Sequence, residues 1–255
     1  MELRSLKFRT RAHNRYWWYK LTGTDYVPPV IAELSKSEWA LMEDWFEDSE
    51  KLFPNPGEIS IPGISLLNAL ICGNGVGAVV QLGHYVGFST LMLGFALRRI
   101  GRKRALFSVD IDAEVTQYTQ SWVKRAKLED VVSLHVENSS DAIAVELAHQ
   151  WFGRTPELVF IDSSHQYRHT LEELDLWYKS LAPGGFLAMH DTSVFAQTFD
   201  STGEGGVRRA ACEWGAGRNM ILLNSFVGES VTDGDSPSSL IYRDRCGFGL
   251  VQKDL

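Results

Sequence analysis

Cysteine is scarce. The 255 residues include three, Cys72, Cys212 and Cys246, too few and too scattered for a disulfide framework or a thiolate zinc site. That usage fits a reducing cytoplasm. Long apolar runs are absent as well: no stretch approaches the roughly 18 apolar residues of a spanning helix. The N-terminus, Met1-Glu2-Leu3-Arg4 onward, lacks the apolar core and small-residue cleavage site of a secretory signal. Arg9, Arg11 and Arg15, with few acids nearby, leave an organelle transit peptide as the other reading. There is no basic excess. The 25 Lys and Arg face 32 Asp and Glu, for a formal charge of −7, so the field that attracts nucleic acid or an anionic membrane is missing. Neither is expected as a partner. No internal repeat and no low-complexity tract occurs, and 44% hydrophobic against 22% charged residues excludes global disorder.

What is present divides into two parts. The first sixty residues carry Arg15-Tyr16-Trp17-Trp18-Tyr19-Lys20, a segment suited to packing on the chain's own core or on a second copy, so a homo-oligomer is expected. Pro28-Pro29 should break any helix there. Ser35 followed by Glu38 predicts a capping box, with Trp39, Met42, Trp45 and Phe46 at helical spacing behind it. Pro54, Pro56 and Pro62 mark a loop, and a helix is expected over about 63–71.

Beyond residue 78, strands and helices alternate. Strands are predicted at 78–82, 104–110, 131–136, 158–162 and 186–190, with helices at 89–100, 112–127, 141–152, 169–181 and 206–214 between and after them, and two apolar runs at 220–227 and 248–252. Short apolar strands separated by helices predict an α/β fold, a doubly wound parallel sheet covered on both faces. Ligands of such sheets lie beyond the carboxyl ends of the strands. That selects Gly83, Asp110, Asp162 and Asp191.

The first strand end reads Gln81-Leu82-Gly83-His84-Tyr85-Val86-Gly87-Phe88-Ser89. Gly83 and Gly87 permit a tight turn and close backbone approach of a ligand, and Ser89 at the helix start can hold a carboxylate. Tyr85 fills the place of the middle glycine of a nicotinamide fingerprint, which speaks against a pyrophosphate. The plainer alternative is a glycine turn needed only for packing. Asp110 can accept both hydroxyls of a ribose; its alternative role, capping the next helix, can be met by Asp112.

Together these motifs resemble a family. From about Pro62 to the end the chain is similar to class I S-adenosylmethionine-dependent methyltransferases, especially the catechol-type and macrocin-type (sugar) O-methyltransferases. The residues that carry the likeness are the glycine loop at 80–89, Asp110-Ile111-Asp112, Asn138-Ser139-Ser140-Asp141, Leu158 to Asp162, and Pro183-Gly184-Gly185 followed by Phe186 to Asp191. The resemblance implies a Rossmann-like, seven-stranded, mostly parallel sheet in three layers with the last strand antiparallel. It implies residues 61–255 as the cofactor-binding methyltransferase domain and 1–60 as a helical extension. Gln81, Gly83, Tyr85, Gly87 and Ser89 would face the methionine end of the cofactor. Asp110 would hold the ribose, Ile111, Ser139 and Ser140 would lie by the adenine, and Asp162 or a backbone carbonyl would face the ammonium. Gln81 departs from the Glu or Asp usual in the family and offers no charge.

The resemblance also assigns the chemistry. In catechol-type relatives the acid ending the fourth strand binds a divalent metal, and a basic residue three positions on takes the acceptor's proton. Here those are Asp162 and His165, and histidine titrates where a general base should; the alternative is that His165 packs on the following helix. Asp162 and Asp191 would hold Mg2+ as an optional second cofactor, with Thr192 or His190 at the third ligand position. Without a metal, His190 and Asp191 form an acid–base pair beside His165. The expected substrate is a small-molecule hydroxyl, on a sugar or phenol of a natural-product pathway. Two other classes compete: a nicotinamide-dependent oxidoreductase, and a non-catalytic assembly protein that keeps the fold. Residues 198–206 are a candidate lid or substrate loop, 228–239 a second polar loop, and Arg208-Arg209 a solvated face.

Overall fold

The computed structural model describes residues 26–228 and 240–255 apart from Pro54 and Pro56; the aromatic segment at 15–20 and most of the 228–239 loop lie outside them. Seven strands form one sheet: β1 Val79–Leu82, β2 Leu106–Asp110, β3 Val132–Val136, β4 Leu158–Ile161, β5 Phe186–His190, β6 Met220–Leu223 and β7 Phe248–Gln252. Their spatial order is β3-β2-β1-β4-β5-β7-β6. β1 to β5 run parallel, and β7 pairs antiparallel with both β5 and β6. The antiparallel strand predicted to come last in the chain is therefore not at the edge; β6 covers its outer side.

The central strands are mostly apolar because both their faces are covered, with Gln81 in β1 and Ser108 in β2 buried among the apolar residues. Every residue of β1 and of β4 is buried. On one face lie α1 Pro29–Ala32, α2 Lys36–Leu52, α3 Ile61–Asn74, α4 Phe88–Arg99 and α5 Ala113–Arg125, around a core that includes Trp45, Leu67, Phe95 and Trp122. On the other lie α6 Ala142–Phe152, α7 Tyr167–Ser180 and α8 Gly206–Trp214, around Phe107, Val159 and Trp177. The result is the three-layer, doubly wound architecture. α4 is buried from Phe88 to Leu97, which is why its sequence is apolar all round rather than on one stripe.

Pro28-Pro29 does not break a helix. Pro29 begins α1, since a first-turn proline lacks only an N–H that would have no intrahelical partner anyway. The Ser35–Glu38 capping box forms at the start of α2, and α2 then sends Trp39, Trp45 and Phe46 into the same core as the sheet. The strand order reverses between β2-β1 and β4-β5, so a crevice opens beyond the carboxyl ends of β1, β2 and β4, where the fold places ligands.

Candidate active site

A cavity of about 530 Å³ fills that crevice, within the usual range for a small-molecule site. Its walls include Gly83, Tyr85, Gly87 and Ser89 from the β1–α4 loop, Asp110 and Ile111 after β2, Ser139 after β3, and Asp162 and His165 after β4. The structure thus brings nine of the expected site residues to one cavity. Gln81, Ser140, His190 and Asp191 are not in its wall.

The glycine loop is shaped by its neighbours as much as by any ligand. Gly83 has φ +82, and a Cβ there would fall 2.1 Å from the carbonyl oxygen of Asp162, so the β1 and β4 loops cross at backbone contact. Tyr85 holds φ +39. Its N–H donates to Asp110 Oδ2 at 2.9 Å and its carbonyl accepts from Thr119 Oγ1 at 2.6 Å. Gln81 is buried behind the loop: Nε2 donates to Ser89 Oγ (2.7 Å) and Gly83 O (3.1 Å), and Oε1 accepts from Thr90 Oγ1 (3.0 Å). A neutral amide can serve as donor and acceptor at once, which a carboxylate cannot; here that amide braces the loop from inside. Ser140 likewise turns away, with its N–H and hydroxyl both bonded to Asn138 Oδ1.

Asp112 caps α5, accepting from Glu114 N and Val115 N. Asp110 is thereby released from capping. It accepts N–H bonds from Tyr85 and from Asp112 (3.1 Å), and a carboxylate has lone pairs beyond those two. Beside it Ile111 is 75% exposed, an apolar side chain laid open on the cavity rim.

At the other end stand the ionisable groups. His165 (φ +59) and Asp191 (φ +62) both adopt left-handed backbone at strand ends, strain that clusters at functional sites. His165 Nε2 lies 3.0 Å from Asp191 Oδ2. His190 Nδ1 lies 3.4 Å from Asp162 Oδ1 and 3.4 Å from Asp191 Oδ2, and its Nε2 is 3.0 Å from Asp244 Oδ2. Burial would depress the His165 imidazole, but its hydrogen bond to Asp191 and the charges of Asp191 and Asp162 leave it above its ordinary value. Burial likewise opposes protonation of His190, and the carboxylates of Asp191, Asp244 and Asp162 outweigh it. Asp191 is pushed up by burial and pulled lower by His190 and His165, ending below the usual carboxylate range. Burial raises Asp162.

Asp244 and Cys246, which precede β7, were not expected at the site. Asp244 is buried against His190, and burial lifts the Cys246 thiol well above its usual value. Sequence reading had no signal for them, because they arrive from far along the chain. Thr192 Oγ1 is buried and no atom of the described residues bonds it. The 198–206 segment sits beside His165, whose ring centroid is 5.7 Å from that of Phe199. Buried Asp200 ties this segment down, accepting from Thr202 N, Thr202 Oγ1 and Gly206 N. Arg209 pairs with Glu213 and Arg208 with Ser225 O, in keeping with a solvated face.

Residues 80–192 match the family model described as "Methyltransferase domain". No curated protein matches the sequence. Three solved structures share the fold. The O-methyltransferase of Bacillus cereus, in complex with S-adenosylhomocysteine, is 16% identical with a TM-score of 0.63, over 95% of this chain and 97% of that one. TomG of Streptomyces achromogenes, an O-methyltransferase involved in tomaymycin synthesis and solved with S-adenosylmethionine, is 19% identical with a TM-score of 0.62 over the full length of both. The methyltransferase PaMTH1 of Podospora anserina, bound to S-adenosylhomocysteine, is 14% identical with a TM-score of 0.63, over 100% and 99%. The methyltransferase match does not favour the nicotinamide reading, against which Tyr85 in the glycine loop also speaks. No helix among the described residues is long and apolar enough to cross a membrane.

Proposed function

We propose that this S-adenosylmethionine-dependent methyltransferase carries the methyl group to a hydroxyl of a small molecule, with His165 as the general base. The observation that carries the reading is the 3.0 Å contact between His165 Nε2 and Asp191 Oδ2, with His165 in the wall of the same cavity as Asp110 and Ile111. Ionised Asp191 can only accept, so it fixes the proton of neutral His165 on Nε2 and leaves the Nδ1 lone pair basic. Asp191 also stabilises the imidazolium formed when that nitrogen takes the hydroxyl proton.

The chain's residues fit the donor. Asp110 offers carboxylate lone pairs to a ribose, Ile111 an apolar shelf to a base, and Asp162 a carboxylate to an ammonium group. Bound S-adenosylmethionine supplies an electrophilic methyl carbon on a sulfonium sulfur. Gly83, Tyr85 and Ser89 position the donor's amino-acid end, and His165 deprotonates the attacking oxygen. The relatives named O-methyltransferases support oxygen as the acceptor atom, and the tomaymycin connection of TomG supports a natural-product substrate.

A divalent ion also fits the donor set: carboxylate oxygens of Asp162 and Asp191 and a nitrogen of His165 lie within 4.8 Å of one another. Such an ion, held by Asp162 and Asp191, would acidify a bound hydroxyl. The test is direct. Incubation of the purified chain with S-adenosylmethionine and a panel of sugars and phenols should give a product heavier by one methylene, read by mass spectrometry, and repetition with EDTA assigns the metal. Methylation confined to nitrogen or carbon acceptors would reject the reading.

A further inference from the structure

Under the same cavity lies a polar cluster that the mechanism above does not use. Glu173 in α7 is fully buried, at 0% exposure. Its carboxylate accepts from Ser163 Oγ, at 2.7 and 2.8 Å to its two oxygens, and from Ser139 Oγ at 2.5 Å. His169, one turn earlier on the same helix face, places Nε2 at 3.2 Å from Glu173 Oε1 and 2.9 Å from Ser139 Oγ. Trp177, one turn later, donates from Nε1 to Ser139 O at 2.7 Å. The helix thus gathers the loop after β3 and the loop after β4 onto a single buried carboxylate. Ser139, Ser163 and His169 all line the cavity.

The protons of this cluster have few places to go. Both serine hydroxyls donate to Glu173, which commits their protons. Ser139 Oγ and Glu173 Oε1 then share His169 Nε2–H between them. What Ser139 and Ser163 have left for a ligand is lone pairs alone. A ligand edge carrying N–H groups is satisfied there. An edge carrying a carbonyl oxygen sets acceptor against acceptor in a desolvated pocket, and an unmade bond of that kind is costly.

We propose that Glu173 is a specificity-determining residue that holds Ser139 and Ser163 as acceptors, so that the cavity selects a 6-amino purine over its 6-oxo counterpart. This rests on the adenosyl reading above: with the ribose on Asp110 and the transferred methyl near His165, the base lies between Ile111 and the Ser139–Ser163 wall. Glu173 touches no ligand itself; it acts through the two hydroxyls.

Calorimetric titration with S-adenosylhomocysteine and its deaminated analogue S-inosylhomocysteine tests the idea. The wild-type chain should prefer the adenosyl compound by about thirtyfold or more. Glu173→Gln supplies an amide N–H to one serine, which frees that hydroxyl's proton for the cavity, and the preference should shrink severalfold; Glu173→Asp should retain more of it. A role confined to stability would weaken both ligands together and leave their ratio unchanged, and that result would overturn the proposal. Should Glu173→Gln fail to fold, Ser139→Ala removes one acceptor while leaving Glu173 its bonds from Ser163, and should also reduce the ratio. Equal binding of both compounds by the wild type overturns the proposal while sparing the adenosyl reading; binding of neither overturns both.

Discussion

Trp45 and Val86 are 41 residues apart and joined by a buried hydrogen bond, Trp45 Nε1 donating to Val86 O at 2.8 Å. The indole comes from α2, and the carbonyl belongs to the glycine loop. α2 is thus a brace for the loop: the Trp45 ring also packs on Phe88 at the start of α4, with centroids 5.6 Å apart. Trp45→Phe keeps most of the ring but strands the Val86 carbonyl, which should cost about 1–3 kcal/mol of stability. Urea unfolding measures that loss, and a parallel titration should show weaker S-adenosylhomocysteine binding. Unchanged values in both would show that α2 packs beside the loop without supporting it.

Asp110 links the loop to the cavity through its bond from Tyr85 N–H. Asp110→Ala removes the acceptor proposed for the ribose hydroxyls and the anchor of Tyr85 together, so affinity for S-adenosylhomocysteine should fall by about 2–3 kcal/mol. Asp110→Asn retains one acceptor oxygen and should lose less. Calorimetry on the three proteins checks the order, and an alanine variant that binds as tightly as wild type would remove Asp110 from the ribose role.

His165→Ala should lower methyl transfer by about a hundredfold or more while leaving S-adenosylhomocysteine affinity within a few-fold of wild type. Asp191→Asn tests the pairing separately. It keeps the shape but can present a donor to Nε2, so the wrong nitrogen carries the proton and turnover should also fall. Single-turnover assays with an accepted hydroxyl compound read both. Full activity in His165→Ala would pass the proton to another group.

Much of this was legible in the sequence, for reasons that particular residues make plain. β1 and β4 are buried on both faces, so their sequences are short apolar runs, interrupted in β1 by Gln81 alone. Asp112 announced its capping role by position, and that released Asp110. The hidden part arose where function is assembled across distance. Glu173 reads in sequence as one more polar residue of an amphipathic helix, and only the fold brings it under Ser139 and Ser163. Asp244 and Cys246 follow a polar loop and reach His190 only because β7 inserts between β5 and β6. Pro29 misled because a proline signals both the end of one helix and the first turn of another.

His84 gives a prediction about pH. It follows Gly83 in the glycine loop and is buried, with Nδ1 3.1 Å from Ser108 Oγ and Nε2 2.8 Å from Thr116 Oγ1. Thr116 donates its own proton to Asp112 O at 2.7 Å, so it accepts from Nε2–H, while Nδ1 shares Ser108 Oγ with Gln81 O, each 3.1 Å from that hydroxyl. Burial lowers His84 from 6.5 to about 4, with Asp110 opposing and His135 adding to the drop. The folded state therefore binds its proton less readily than the unfolded chain. Above about pH 6.5 both forms are neutral and His84 carries no penalty. As pH falls from 6.5 towards 4 the unfolded state takes up the proton first, so stability falls at up to about 1.4 kcal/mol per pH unit, for a total near 3 kcal/mol, and the loss levels off below 4. His84→Gln cannot gain that proton. Urea unfolding of both proteins between pH 7.5 and about 4.5 should show the wild type losing more stability than the variant across the interval. Parallel curves would mean that the acid sensitivity of the fold resides elsewhere and that His84 remains solvated enough to titrate normally.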